Sequence, residues 1–218
     1  AIELVTETLH SGWVGEGPRV KEFEMQIGKI VRSPFPVSVN SGTSALCLAV
    51  LLAGVKPGHE VITTAQTMLA STSAILMAGG IPVYADVEYG TGNLAASDIE
   101  HRITERTKAI LAVDWGGYPC DWDAILAIAQ ANHLAVIEDA AHALGATYKG
   151  KLAGSIAPIT CFSFQAIKHL TTGDGGMICV SSAQDYERAV RLRWFGIDRF
   201  NRKPSILGEP EWNVAELG

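Results

Sequence analysis

The stretch "FSFQAIKHLTTGDGG", Phe162 to Gly176, decides how this sequence is read. An apolar run, "ITCFSF" (Ile159–Phe164), leads to one lysine, Lys168, then to the glycine-rich turn "TTGDGG" and a second apolar run, "GMICV" (Gly176–Val180). Taken alone, a lysine there is a solvated loop charge. At the end of a buried strand it is a reactive amine held in a pocket, and the glycines let the chain pass close to a ligand.

Outward from this stretch, apolar runs alternate with helical patterns. Upstream, "FPVSV" (35–39), "EVITT" (60–64), "IPVYADV" (81–87), "KAILAVDW" (108–115) and "LAVIED" (134–139) read as strands. Between them lie helical patterns at 41–55, 68–77, 97–103 and 121–133, with further helices at 17–32 and 183–196. Pro18 near a helix start, a Ser97/Asp98 cap and Asp121 as a cap mark three of the boundaries. Alternation of this kind predicts an α/β domain with a mostly parallel central sheet. The strands are continuously apolar, as expected where helices cover both faces. A ligand site is then expected at the carboxyl ends of the strands.

Composition bounds the function. The 218 residues are 48% apolar and 18% charged, enough for a sizeable core. A net charge of −6 disfavours nucleic acid and anionic membrane surfaces as partners. No apolar run is long enough to span a bilayer, and "AIELVTETLHSGW" lacks a signal-peptide pattern. The absence of Met at position 1 fits residues upstream. Of the cysteines, Cys47, Cys120, Cys161 and Cys179, none forms a C-x-x-C pair, so no zinc or other metal is expected. Cys47, Cys161 and Cys179 lie in apolar runs, read as small core residues of a protein from a reducing cytoplasm.

Three further features follow predicted strands. "NSGTSAL" (Asn40–Leu46) runs from a small-residue turn into a helix start, whose free amides and dipole suit a phosphate. Gly42 allows close approach, and Thr43 and Ser44 add hydroxyls; the alternative is an ordinary capped helix. In "VIEDAAHALG" (136–145), Asp139 ends an apolar strand, where a carboxylate calls for a cation unless it is only a helix cap. His142 lies three residues on, and Ser163 five residues before Lys168. A phosphate cradle, a strand-end acid and a lysine in one crevice match the needs of pyridoxal phosphate. Its aldehyde takes an amine, its ring nitrogen an acid and its phosphate a helix N-terminus.

The sequence resembles the DegT/DnrJ/EryC1/StrS family of sugar aminotransferases, fold-type-I pyridoxal phosphate enzymes. The likeness runs from "SGWVGEGPRVKEFE" through "NSGTSAL", "IPVYADV", "TKAILAVDWGGYPCD", "VIEDAAHALGA" and "FSFQAIKHLTTGDGG" to "RLRWFGIDR". It implies that Lys168 is the Schiff-base lysine and that Asp139 pairs with the pyridinium nitrogen. Thr43 and Ser44 would hold the phosphate at the helix start beside Gly42, with Ser163 adding its hydroxyl. His142 would lie against the ring near its oxygen. Met68 in "AQTMLAS" stands where many members stack an aromatic residue on the ring.

The resemblance further implies a homodimer. The expected reaction moves an amino group from an amino acid, glutamate by analogy, to a nucleotide-linked keto sugar in surface polysaccharide or amino-sugar biosynthesis. Related sugar dehydratases have histidine in place of the lysine, so Lys168 argues against that alternative; a non-catalytic cofactor-binding or regulatory relative is the other. Residues 1–200 are expected to form the large, cofactor-binding domain, including a helical segment at 1–32. Residues 201–218, rich in Pro, Gly and polar residues, read as a loop leading towards a smaller C-terminal domain absent from this chain.

Overall fold

The computed structural model describes residues 1–198 together with the backbone of 203–204 and 210–211. Most of the expected loop at 201–218 therefore lies outside the described residues; 203–204 and 210–211 pair as short antiparallel strands. Two helices, α1 (Ile2–Ser11) and α2 (Pro18–Val31), precede the sheet. Then follow β1 (Phe35–Val39), α3 (Gly42–Leu52), β2 (Glu60–Thr64), α4 (Leu69–Met77), β3 (Ile81–Ala85) and α5 (Ala96–Arg102). Next come β4 (Thr107–Val113), α6 (Trp122–Ala131), β5 (Ala135–Asp139) and a small hairpin of β6 (Thr147–Tyr148) and β7 (Lys151–Leu152). The chain returns to the sheet in β8 (Ile159–Ser163) and β9 (Gly176–Val180) and ends its described helices with α7 (Ala183–Leu192).

The sheet has seven strands in the order β1-β9-β8-β5-β4-β2-β3. The pairs β8–β5, β5–β4, β4–β2 and β2–β3 are parallel, and β9 runs antiparallel to both β1 and β8. The expected mostly parallel α/β sheet is thus the observed one.

Strand alternation sorts the core onto two faces. Ala109, Leu111 and Val113 of β4 and Ile137 of β5 pack with α3, and with Ala74 and Ile75 of α4. Ile110 and Ala112 of β4 and Val136 of β5 face Ile99 of α5 and Trp122 and Ile125 of α6. On that same face, α2 packs Ile27 and Val31 against Phe162, Phe164 and Met177. Helix α3 is apolar on all sides, as a helix buried against the sheet must be. The edge strand β3 departs from the continuous burial expected of it. Ile81 and Tyr84 are exposed there, and Pro82 removes an edge donor.

Two caps follow the sequence reading and one does not. Pro18 opens α2, and Asp121 caps α6 by accepting from Ala124 N at 3.4 Å. Helix α5 has no side-chain cap; Asp98 instead accepts from Asp86 N at 2.8 Å, tying the helix to the end of β3.

Candidate active site

The sheet topology gathers the candidate residues along one edge. Asp139 and Ser163 end β5 and β8, Ser41 and Gly42 follow β1, and Met68 follows β2. Because β9 is antiparallel, the loop between β8 and β9, which carries Lys168, lies at this same edge.

The start of α3 is fixed by Ser41, which sequence reading had not singled out. Its Oγ accepts from Ser44 N at 3.1 Å, and Ser44 Oγ donates to Asn40 Oδ1 at 2.6 Å. The remaining first-turn amides point out of the helix N-terminus. Thr43 stands at that turn, half-buried. Gly42 abuts Ser163: a Cβ at Gly42 would lie 2.8 Å from Ser163 Cβ and 3.2 Å from its Oγ. The sequence-predicted phosphate residues are therefore together, and the absent side chain keeps space between them.

Asp139 is buried. One carboxylate oxygen accepts from Ser71 Oγ at 2.8 Å and the other from Ala141 N at 3.2 Å. Ser71 in turn exchanges a hydrogen bond of 2.8 Å with Thr67 Oγ1. Burial raises the Asp139 carboxyl above the ordinary range, against the lowering effect of Ser71, Ala141, His142 and Lys168. A carboxyl held this way calls for a further cation or donor. Asp139 thus does cap the following turn through Ala141, and it also faces the site.

Lys168 is not at the strand end itself. It lies five residues past Ser163, half-buried, with its backbone N–H donating to Gln165 O at 2.9 Å. Burial lowers its pKa, and the Asp139 charge works the other way. His142, also half-buried, is lowered by burial and by Lys168 and His169, which favours the neutral ring. The Trp115 ring meets it edge-on at 5.6 Å between centroids. Met68 is exposed, and its Sδ accepts from Ala70 N at 3.0 Å as part of the α4 cap.

Ser71 and Trp115 were absent from the sequence-derived set. Ser71 sits in a helix of small residues that carries no sign of its partner. Trp115 follows a strand, the one signal that marked it as near the site.

The arrangement fits pyridoxal phosphate: a helix start spaced by Gly42, a buried acid short of a cation and a lysine of lowered pKa line one edge. Among the described residues no cluster of His, Cys, Asp and Glu could hold a metal ion, and no helix is long and apolar enough to cross a membrane.

Comparison with known proteins agrees with this geometry. The model of the DegT/DnrJ/EryC1/StrS aminotransferase family matches residues 1–209. The spore coat polysaccharide biosynthesis protein SpsC of Bacillus subtilis is 46% identical over 192 residues, 88% of this chain and 49% of that protein. GDP-perosamine synthase of Escherichia coli O157:H7 is 38% identical over 89% of this chain and 54% of its own length. Among solved structures, an aminotransferase from Psychrobacter cryohalolentis superposes with a TM-score of 0.92 at 33% identity, covering 100% of this chain and 56% of that one. The Bacillus subtilis protein NtdA, solved with bound cofactor PMP, gives a TM-score of 0.85 at 32% identity over 89% of this chain and 44% of that one. The chain spans about half the length of the curated relatives it matches.

Proposed function

The chain belongs to the DegT/DnrJ/EryC1/StrS aminotransferase family, and we propose that it is the large, cofactor-binding domain, residues 1–200, of a pyridoxal phosphate-dependent sugar aminotransferase. The observation that carries the reading is Asp139, a carboxyl at a strand end whose pKa is raised by burial even with Lys168 and His142 acting the other way.

When bound, pyridoxal phosphate supplies an aldehyde carbon that takes up the amino group and a protonated ring that accepts electrons. Asp139 would hold the proton on the ring nitrogen, with Ser71 and Ala141 N fixing its oxygens. The helix start at Gly42–Ser44 and the Ser163 hydroxyl bind the phosphate. Lys168 would be the residue that holds the cofactor covalently, and its amine, when free, would serve as the base and acid that moves a proton at the donor's α-carbon. That role needs a partly neutral amine, which the lowered Lys168 pKa favours. His142, whose pKa burial lowers, and Met68 would line the space for the ring.

The acceptor is a keto sugar carried on a nucleotide and the donor an amino acid, glutamate in the first instance. The name of GDP-perosamine synthase supports the nucleotide-sugar class, and that of SpsC supports a place in polysaccharide biosynthesis. The enzyme works as a cytoplasmic homodimer. The deciding experiment is borohydride reduction of the full-length holoenzyme followed by proteolysis. The cofactor's mass should appear on the peptide containing Lys168, and the absorbance band that reduction abolishes should also fall on adding glutamate. Label on Lys149 or Lys151 would reject the site.

A further inference from the structure

On the face of the sheet opposite Asp139 lie two carboxyls that this chemistry does not use. Glu138 and Asp114 are each 0% exposed. Glu138 shares a face with Val136, and Asp114 follows β4 at the register that pairs Ala112 with Glu138, so both point to the same side. Their partners are few. Glu138 Oε2 accepts from Thr160 Oγ1 at 2.7 Å and from Gly154 N at 3.4 Å. Asp114 Oδ1 accepts from Cys120 N at 2.9 Å. That leaves Glu138 Oε1 and Asp114 Oδ2, both buried without a partner. Each of the two side chains acts on the ionisation of the other.

Two ionised carboxylates cannot bond to each other, and enclosed together they repel. One proton on Glu138 Oε1, donated to Asp114 Oδ2, satisfies both orphaned oxygens at once. We propose that Glu138 and Asp114 share a single proton at neutral pH, and that this acid pair is a positioning unit fastening the Asp114–Cys120 loop to the strand end that bears Asp139.

The loop so held reaches the site. Asp114 N donates to Asp139 O at 3.1 Å. Trp115 packs on His142. Gly117 lies against the His142 carbonyl at φ 86°, where a Cβ would come within 2.6 Å of that oxygen. The other titratable groups in electrostatic reach of the pair are the thiols of Cys120 and Cys179 and, on the opposite face, Asp139 and the thiol of Cys161; all three thiols are raised by burial and so neutral. Burial raises Glu138 to about 8, with the Asp114 charge adding to it, and raises Asp114 to about 6.

Infrared spectroscopy of the full-length protein tests the shared proton. At pH 7 the wild type should show the carbonyl stretch of a protonated carboxylic acid, shifted by deuteration. The band should persist in Asp139→Asn, vanish in Glu138→Gln, and fade in the wild type as pH rises through about 8. Thermal unfolding gives the second readout. An acid whose folded pKa is raised binds its proton more tightly folded than unfolded, so the wild type should lose stability as pH climbs towards 8. Glu138→Gln, whose amide can donate to Asp114 in the proton's place, should flatten that slope; a packing role alone would shift the midpoint equally at every pH. If Glu138→Gln does not fold, Asp114→Asn removes the charge that adds to the burial of Glu138, so the band should change frequency and fade at a lower pH than in the wild type. Absence of the band in the wild type at pH 7, its survival in Glu138→Gln, or an unchanged band with an unchanged fading pH in Asp114→Asn, would overturn the proposal. The bearing on catalysis rests on Asp139 as the ring's partner. The band does not, so if cofactor binding fails, the same measurement on the cofactor-free protein still decides.

Discussion

Replacing Asp139 by Asn should stabilise the cofactor-free protein while weakening its hold on the cofactor. The carboxyl is buried, and its ionised form receives two hydrogen bonds, from Ser71 Oγ and Ala141 N. Enclosing a charge costs several kcal/mol. Hydrogen bonds to a charged group return roughly 1.5–3 kcal/mol each. Burial is the largest influence on this group and the net shift is upward, so the charge is a cost in the cofactor-free protein. An asparagine keeps the acceptor for Ala141 N, and the Ser71 hydroxyl can turn to accept from the amide. The expected gain near pH 8 is about 1–3 kcal/mol, or roughly 2–12 °C in unfolding midpoint for a chain of this size. The sign follows from linkage: the folded pKa is raised, so this group's contribution falls as pH rises from the ordinary carboxylate range through the raised value. The gain should therefore be larger at pH 8 than at pH 5. Thermal unfolding of both proteins at the two pH values, with and without pyridoxal phosphate, measures it. The variant should also bind the cofactor less tightly than wild type and lose most turnover, since a neutral amide holds the ring proton poorly. A cofactor-free Asp139→Asn protein less stable than wild type at pH 8 would refute the charge argument; near-wild-type turnover would refute the role.

Three other substitutions probe the site and its support. Lys168→Ala should abolish transamination and the borohydride-trapped product while shifting stability by no more than about 0.5 kcal/mol, as expected for a half-buried loop residue; retained trapping refutes the anchor. Gly42→Ala would place a Cβ 2.8 Å from Ser163 Cβ, so the cofactor's dissociation constant should rise about tenfold or more, equivalent to roughly 1.4 kcal/mol, as measured by absorbance titration, and unchanged affinity would show that the phosphate binds elsewhere. Arg193→Met should cost about 2–4 kcal/mol by urea unfolding, because it strips Glu16 and Glu24, at 2.5 and 2.8 Å, of a mostly buried cation; a loss under about 1 kcal/mol would make that cluster incidental.

The strands were legible because each is a continuous apolar run, the pattern of a sheet covered on both faces. Asp139 was legible for the same reason: a carboxylate stands out at the end of such a run. The antiparallel direction of β9 was not, because the loop of 164–175 from β8 to β9 carries no local signature of strand direction. Lys168 was legible as a residue of the loop joining two apolar runs, although the first run overshoots the ladder by one residue, through Phe164 where the strand stops at Ser163. Ser71 and Trp115 escaped notice for one shared reason. A hydroxyl or indole acquires its role from a partner distant in sequence, and Ser71 meets Asp139 across 68 positions.

Glu138 and Asp139 show what adjacency along a strand can conceal. Neighbouring side chains leave opposite faces, so these two acids sit in unrelated environments although one peptide bond joins them. Asp139 meets Ser71 and the electrostatic reach of Lys168 and His142, and a cationic ring nitrogen can complete its surroundings. Glu138 meets Thr160, Gly154 and a second carboxyl. With Asp114, three acids crowd one strand end, and ionising all of them would gather three charges in a medium where each costs several kcal/mol. The cheapest arrangement neutralises each face by its own means: a proton between Glu138 and Asp114, and the cofactor's ring at Asp139. These means should respond differently to solution conditions. Adding cofactor should stabilise the Asp139 side by mass action and leave the alkaline slope due to Glu138 in place. Unfolding midpoints measured from pH 6 to 9 at saturating pyridoxal phosphate should therefore rise at every pH and still decline towards the alkaline end; a profile flattened by the cofactor would place the titrating group on the Asp139 face instead.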